Sequence, residues 1–233
     1  MPTATESEPK TDALLSAALV YASWGWRVFP VGRDKAPLTT HGFKDATADT
    51  RLVAEFWQRH PQANIALAIP EGLVVLDFDP RNGAPDPDAF RWGTSAYPPP
   101  RVDTPSGGVH LYFRAPEGVE LIGKWMPGVD VKCGERGYVL LPPSVNAEGK
   151  TYDWRGFYED FGDPVPDLLL RAGLPADYIP PLPDWLLKTL RKPEMQEFTE
   201  NVNSSTLASP TFPWEQGTQY GVYGFEQVLG HLA

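Results

Sequence analysis

The 233-residue sequence has one cysteine, Cys133, which excludes any disulfide within the chain, and its four scattered histidines with that cysteine cannot assemble a zinc finger or ribbon. No structural zinc is expected. No apolar run approaches the roughly 18 residues that a membrane span requires, and the opening MPTATESEPK lacks the charged-then-apolar layout of a secretory signal. The expectation is a soluble, cytosolic chain with no membrane partner. Basic charge is also scarce: 20 Lys and Arg face 30 Asp and Glu, a net charge of −10, where a broad phosphate-binding surface calls for the opposite sign. The imbalance is local. Residues 151–233 carry twelve acidic and five basic side chains, while residues 1–60 carry seven of each. Composition thus disfavours a tight non-specific DNA binder but allows an enzyme that holds DNA in a local groove. There is no Walker A phosphate loop and no internal repeat.

What is present is ample core material, 42% hydrophobic with 12% aromatic residues, interrupted by 26 prolines and 21 glycines that demand frequent turns. This predicts a mixed helix and sheet globule with long loops. Leu14, Leu15, Ala18, Leu19 and Ala22 recur at helical spacing behind a possible cap at Thr11, and Gly25 closes that helix. WRVFPV reads as a strand, and GRDKAPLTTHGFKDAT as a long polar loop. In TRLVAEFWQRH a second helix presents Leu52, Val53, Phe56 and Trp57 before Pro61 stops it. NIALAI and LVVLDF are strands separated by Pro70, Glu71 and Gly72, which predicts a hairpin. A short helix is expected around Asp88 to Thr94, then strands in VHLYFR, GVDVKC and YVLLPP, and short helices in PVPDLLLRAG and DWLLKTL. Domain bounds follow: a folded domain over 11–192, a polar linker over 193–216, and the truncated start of a further helical region over 217–233.

The strongest chemical signal is LVVLDFDP. Side chains two apart on a strand share a face, so Asp77 and Asp79 project together, and a hard divalent cation such as Mg²⁺ or Mn²⁺ relieves their repulsion. The plain alternative is a pair of solvated acids at a strand end. Two further strands repeat the design. In VHLYF, His110 and Tyr112 oppose Val109, Leu111 and Phe113; in VDVKC, Asp130 and Lys132 oppose Val129, Val131 and Cys133. Three strands then offer two aspartates, a histidine, a third aspartate and a lysine on one polar face, which is a site composition of carboxylates for metal and cations for phosphate. Ahead of His110, TPSGG supplies Thr104 and Ser106 hydroxyls beside Gly107 and Gly108, a turn that lets the backbone come close to a ligand. An isolated strand histidine is more often structural than ligating, and Cys133 is most simply a small core residue.

The ordered set LVVLDFD, TPSGGVHLYF, GVDVKCGERGYVLLPPSV and GKTYDW, with GWRVFPVGRDKAPLTTHGFKDAT and PQANIALAI ahead of it, resembles the prim-pol branch of the archaeo-eukaryotic primase superfamily. More closely it resembles the N-terminal bifunctional primase-polymerase domain of plasmid and phage replication proteins. The resemblance runs from about Leu14 to Trp185. It implies an α+β primase-polymerase fold, with an antiparallel catalytic sheet of RNA-recognition-motif type packed against an N-terminal α/β subdomain. It implies nucleotidyl transfer with two Mg²⁺ or Mn²⁺ ions held by Asp77, Asp79 and Asp130. His110 and Lys132 would contact the incoming triphosphate, Ser106 and Gly107 would lie near the phosphates, and Lys35 matches a basic residue of the N-terminal loop. The partners so implied are a single-stranded or primed DNA template lying against exposed aromatics, NTP or dNTP, and a helicase region C-terminal in the full-length protein, in the cytoplasm of a bacterial or phage-infected cell. CGERGY departs from the glycine-richer family pattern, which puts Glu135 and Arg136 where nucleotide entry could be reshaped.

Two other classes use the same residues. A metal-dependent nuclease or nucleotide phosphohydrolase would activate water with these acids and need no templating surface. A catalytically inert nucleic-acid-binding module would keep the fold and bind neither metal nor nucleotide well.

Overall fold

Two antiparallel sheets share the core, and the computed structural model describes them through residues 10–92, 98–134, 137–155 and 179–193. The calls on 164–173, on Glu135 and Arg136, and on 194–233 lie outside the described residues. Elements are numbered in chain order: α1 (Lys10–Ser23), β1 (Val28–Val31), α2 (Thr50–Arg59), β2 (Asn64–Ala68), β3 (Leu73–Phe78), β4 (Arg101–Asp103), β5 (Val109–Arg114), β6 (Lys124–Met126), β7 (Val129–Cys133), β8 (Tyr138–Leu141), β9 (Asp153–Arg155) and α3 (Asp184–Leu190). The first sheet has the order β1-β2-β8 and the second β6-β7-β3-β5-β4-β9. This is an α+β fold. Counting β3, β4, β5 and β7 as first to fourth, they lie side by side as fourth, first, third, second, the order of an RNA-recognition-motif sheet.

The first sheet carries α1 and α2. Helix α1 buries Leu14, Ala17, Ala18, Tyr21 and Ala22, and ends before Gly25, whose φ of +81° suits glycine. It spans Lys10–Ser23, so Thr11, expected at the cap position, falls within the helix. Helix α2 is capped by Asp49, whose carboxylate accepts from the amides of Arg51 and Leu52. Its inward residues are Val53 and Trp57, while Leu52, expected on the same stripe, is exposed.

The predicted hairpin does not form. Strand β2 pairs with β1 and β8, whereas β3 pairs with β5 and β7 in the other sheet. The reason lies in burial: all five residues of β2 are buried, as befits a central strand flanked on both edges and covered on both faces. The turn at Pro70–Gly72 therefore hands the chain from one sheet to the next. The helix expected around Asp88 to Thr94 is instead a single 3₁₀ turn, Pro87–Ala89, after which Phe90 is extended; residues 93–97 are outside the described set.

The second sheet is apolar on both faces for different purposes. Val74, Leu76 and Phe78 of β3, Val109, Leu111 and Phe113 of β5, and Val129 and Val131 of β7 pack with Leu182, Leu186 and Leu190 around α3, with Cys133 packed at the margin. On the opposite face Leu73, Val75, Val102 and Tyr112 join the core of the first sheet. That face is open at Asp77 and Asp130, whose side chains are 30% and 42% exposed.

Candidate active site

Register puts the predicted residues together. Asp77 on β3 stands directly opposite His110 on β5 and Asp130 on β7, and Val75 stands opposite Tyr112 and Lys132. Cross-strand partners share a face, so His110, Asp77 and Asp130 form one polar row at the rim of the buried Tyr112–Val75 row. Asp79 follows one step beyond β3. Its amide bonds the Gly128 carbonyl at 2.8 Å, and its carboxylate caps a 3₁₀ turn, Pro80–Asn82. A cavity of about 490 Å³ is lined by Asp77, Asp79, Asn82, Lys124, Pro127, Gly128 and Asp130, so all three acids open onto the same space.

Two glycines permit the neighbouring strands to close on this end of β3. A side chain at Gly108 would run into the Phe78 carbonyl and lie 3.0 Å from Thr104 Oγ1, and one at Gly128 would meet the Ala84 amide and the Asp79 carbonyl, with its φ of +73° a further bar to other residues.

Two of the three acids, Asp79 and Asp130, are hydrogen-bonded to a cation of the chain. Asp79 accepts from Arg81 Nε and Nη2 at 3.0 and 2.9 Å and from Asn82 Nδ2 at 2.9 Å, and the Arg81 guanidinium holds its carboxyl below the usual range. Asp130 accepts from Lys132 Nζ at 2.8 Å. Asp77 Oδ1 lies 3.6 Å from His110 Nε2, beyond hydrogen-bond range. Burial drives the His110 pKa down, with Lys35 and Lys132 adding to the effect and Asp77 opposing it. The ring is therefore neutral at neutral pH and offers an N–H donor. Its Nδ1 and the hydroxyl of Tyr112 are buried without hydrogen-bond partners, on the same face of the same strand.

Lys35 lies within electrostatic reach of this row from the loop after β1. Among the described residues it is the non-glycine with a positive φ, +68°, held by its amide on the Gly32 carbonyl at 2.9 Å and by the Tyr138 hydroxyl donating to its carbonyl at 2.8 Å. Ser106 and Gly107 are placed differently. They form the tight turn between β4 and β5, with Ser106 Oγ 3.2 Å from Thr104 Oγ1, and Gly107 lines a separate cavity with Arg101, Lys150 and Arg155. Neither lines the acid cavity.

The donor chemistry fits a hard divalent cation: three carboxylates and the Asn82 amide face one polar cavity. Among the described residues no three acid, histidine or cysteine groups already converge on a common point, and two of the carboxylates are engaged by Arg81 and Lys132. Among the described residues no tryptophan, tyrosine or phenylalanine stands exposed. The exposed large hydrophobic residues among those described are Leu38 and Leu52, and the described tryptophans, tyrosines and phenylalanines are packed.

Sequence reasoning passed over Arg81, Asn82, Lys124 and Tyr152. The first two carried a signal, since Asp followed by Pro-Arg-Asn is a turn in which the carboxylate accepts from the amide two residues on. Lys124 reaches the cavity by pairing with Asp130 across β6 and β7, and Tyr152, whose ring lies 6.1 Å from that of His110, arrives by tertiary packing alone.

No curated protein matches the chain. The family model described as bifunctional DNA primase/polymerase, N-terminal, matches residues 18–185, a span that runs from α1 into α3 and takes in both sheets and the acid cavity. The chain belongs to the family of bifunctional DNA primase/polymerase N-terminal domains.

Proposed function

We propose that the chain is a template-directed nucleotidyl transferase, a DNA primase or DNA polymerase of a plasmid, phage or prophage replication protein. The observation that carries the reading is the register of β5, β3 and β7, which aligns His110, Asp77 and Asp130 in one row beside the cavity shared with Asp79. Membership of the family supports nucleotidyl transfer in general; the roles of individual residues are our assignment.

Asp77, Asp79 and Asp130 would hold Mg²⁺ or Mn²⁺. When bound, the ions supply activation of a 3′-hydroxyl and stabilisation of the departing pyrophosphate. The chain's own residues do the rest by positioning charge. Lys132, bonded to Asp130, offers a point charge to the triphosphate, and Lys35, whose charge also acts on His110, adds a second. His110 donates a hydrogen bond to a phosphate oxygen, and its burial keeps the ring orientation fixed. Ser106 and Gly107, outside the acid cavity, would serve phosphates only through the neighbouring cavity of Arg101, Lys150 and Arg155. Substrates are NTP or dNTP and a single-stranded or primed DNA template, with a helicase region as the partner C-terminal to this domain, in the cytoplasm of a bacterial or phage-infected cell. Among the described residues no helix is long and apolar enough to cross a membrane.

Extension of a labelled primer on a DNA template, with Mg²⁺ or Mn²⁺ and each nucleotide set, tests the reading. Metal-dependent extension by the wild type, reduced at least about 10²-fold in Asp77→Ala/Asp79→Ala, is the expected result. Extension that survives the double substitution overturns it. So does a folded wild type that extends with neither metal and neither nucleotide set but hydrolyses nucleotide or cuts DNA, the behaviour of the nuclease or phosphohydrolase alternative.

A further inference from the structure

We propose that Arg81 is an exchangeable counter-ion: it occupies the Asp79 carboxylate while the acid cavity lacks a divalent cation, and turns to the nucleotide's triphosphate once that carboxylate is needed. The proposal rests on the reading of Asp79 as a metal ligand and adds to it a residue whose two states compete.

Four hydrogen bonds close on Asp79. Oδ1 accepts from the Arg81 amide at 3.1 Å and Nε at 3.0 Å, and Oδ2 accepts from Arg81 Nη2 at 2.9 Å and Asn82 Nδ2 at 2.9 Å. Both oxygens are thus engaged by the guanidinium, in the planar two-point geometry that Arg forms with carboxylates. The amide bonds of Asp79 already shape the turn: its own N–H reaches Gly128, and its carbonyl accepts from Asn82 and Ala84. The guanidinium is not required for that.

Exposure separates the two partners. The Asp79 side chain is 24% exposed and lines the cavity, whereas that of Arg81 is 65% exposed and is not part of the lining. Because the Arg81 head stands mostly in solvent, a hard cation that binds carboxylate oxygens can displace it from Asp79. The charge of Arg81 acts on Tyr152 and Asp77 as well as on Asp79, so it is felt within the acid row.

Asp130 repeats the arrangement, with Lys132 two residues on. Two of the three acids of the cavity, Asp79 and Asp130, are thus paired with a cation of the chain. Each exchange liberates a cation next to the incoming phosphates, and the Arg81 fork is suited to two oxygens of one phosphate at once.

The test is Mn²⁺ binding by electron paramagnetic resonance, without nucleotide, for wild type, Arg81→Gln, Arg81→Lys and Asp79→Asn, followed by dNTP binding at saturating Mn²⁺. Arg81→Gln is expected to bind Mn²⁺ about two- to tenfold more tightly, because its competitor is gone, and dNTP about tenfold more weakly. Arg81→Lys, which keeps the charge but not the fork, falls between on both. Equal or weaker Mn²⁺ binding by Arg81→Gln overturns the exchange and leaves Arg81 as a brace for Asp79, with the metal site intact. Wild-type Mn²⁺ binding that Asp79→Asn does not alter removes Asp79 from the metal site, and both readings fall.

Discussion

Gly108 shows how tightly the end of β3 is built. It sits where β5 begins, and any side chain there would collide with the Phe78 carbonyl, one residue ahead of Asp79. Replacing it by alanine is expected to cost about 1–3 kcal/mol through overpacking against backbone that cannot move aside. Urea denaturation of Gly108→Ala measures this, and a midpoint unchanged from wild type would show that β5 can shift away from β3. The acids beside it illustrate what a sequence does and does not announce. Alternation in LVVLDF and VDVKC declares which residues share a face, so Asp77, Asp130 and Lys132 were legible. The Asp79–Arg81 fork was not, because spacing alone does not distinguish an acid that faces a cavity from one that closes on its neighbour two residues later.

At the scale of elements, strand β3 is the organiser. It is flanked by β5 and β7 along nearly its full length, and so fixes the polar row by register. A slip of one residue would turn Asp77 into the apolar layer and bring Leu76 or Phe78 out. That layer is sealed by α3, whose Leu186 and Leu190 are fully buried. Leu186→Ala is expected to lose about 2–5 kcal/mol of folding stability; chemical denaturation would report it, and a loss below about 1 kcal/mol would mean the helix is not needed to hold the sheet. The DWLLKTL helix was legible from its pattern and its proline and aspartate start. The partition of NIALAI and LVVLDF into different sheets was not. Both runs are apolar without clear alternation, which marks burial on both faces but leaves the choice of neighbour open.

The whole molecule is tied together at Tyr21. Its hydroxyl donates to the Pro142 carbonyl at 2.7 Å and accepts from Trp154 Nε1 at 2.9 Å, joining α1 to segments 121 and 133 residues away, at the end of β8 and in β9. Burial drives its pKa far above the ordinary tyrosine value of 10.0, with the Trp154 bond opposing. The folded state thus favours the protonated phenol: that contribution is fully present below about pH 10 and is lost as pH rises toward the higher folded value. Tyr21→Phe should cost about 1–3 kcal/mol at neutral pH, from two buried groups left without their partner. The gap between variant and wild type should then narrow above about pH 10. Denaturation at pH 8 and pH 10.5 checks both, and a constant gap would contradict the linkage. By itself the sequence determined the α+β class, the family, and the side of each strand on which Asp77, His110, Asp130 and Lys132 stand, because period-two alternation is a local property of the chain. Only tertiary structure decided which strands neighbour one another, that Ser106 and Gly107 open on a different cavity from the acids, and that Tyr152 and Arg81 attend the site. Pairing partners and packed neighbours depend on the competition among all buried surfaces at once, which no single stretch of sequence encodes.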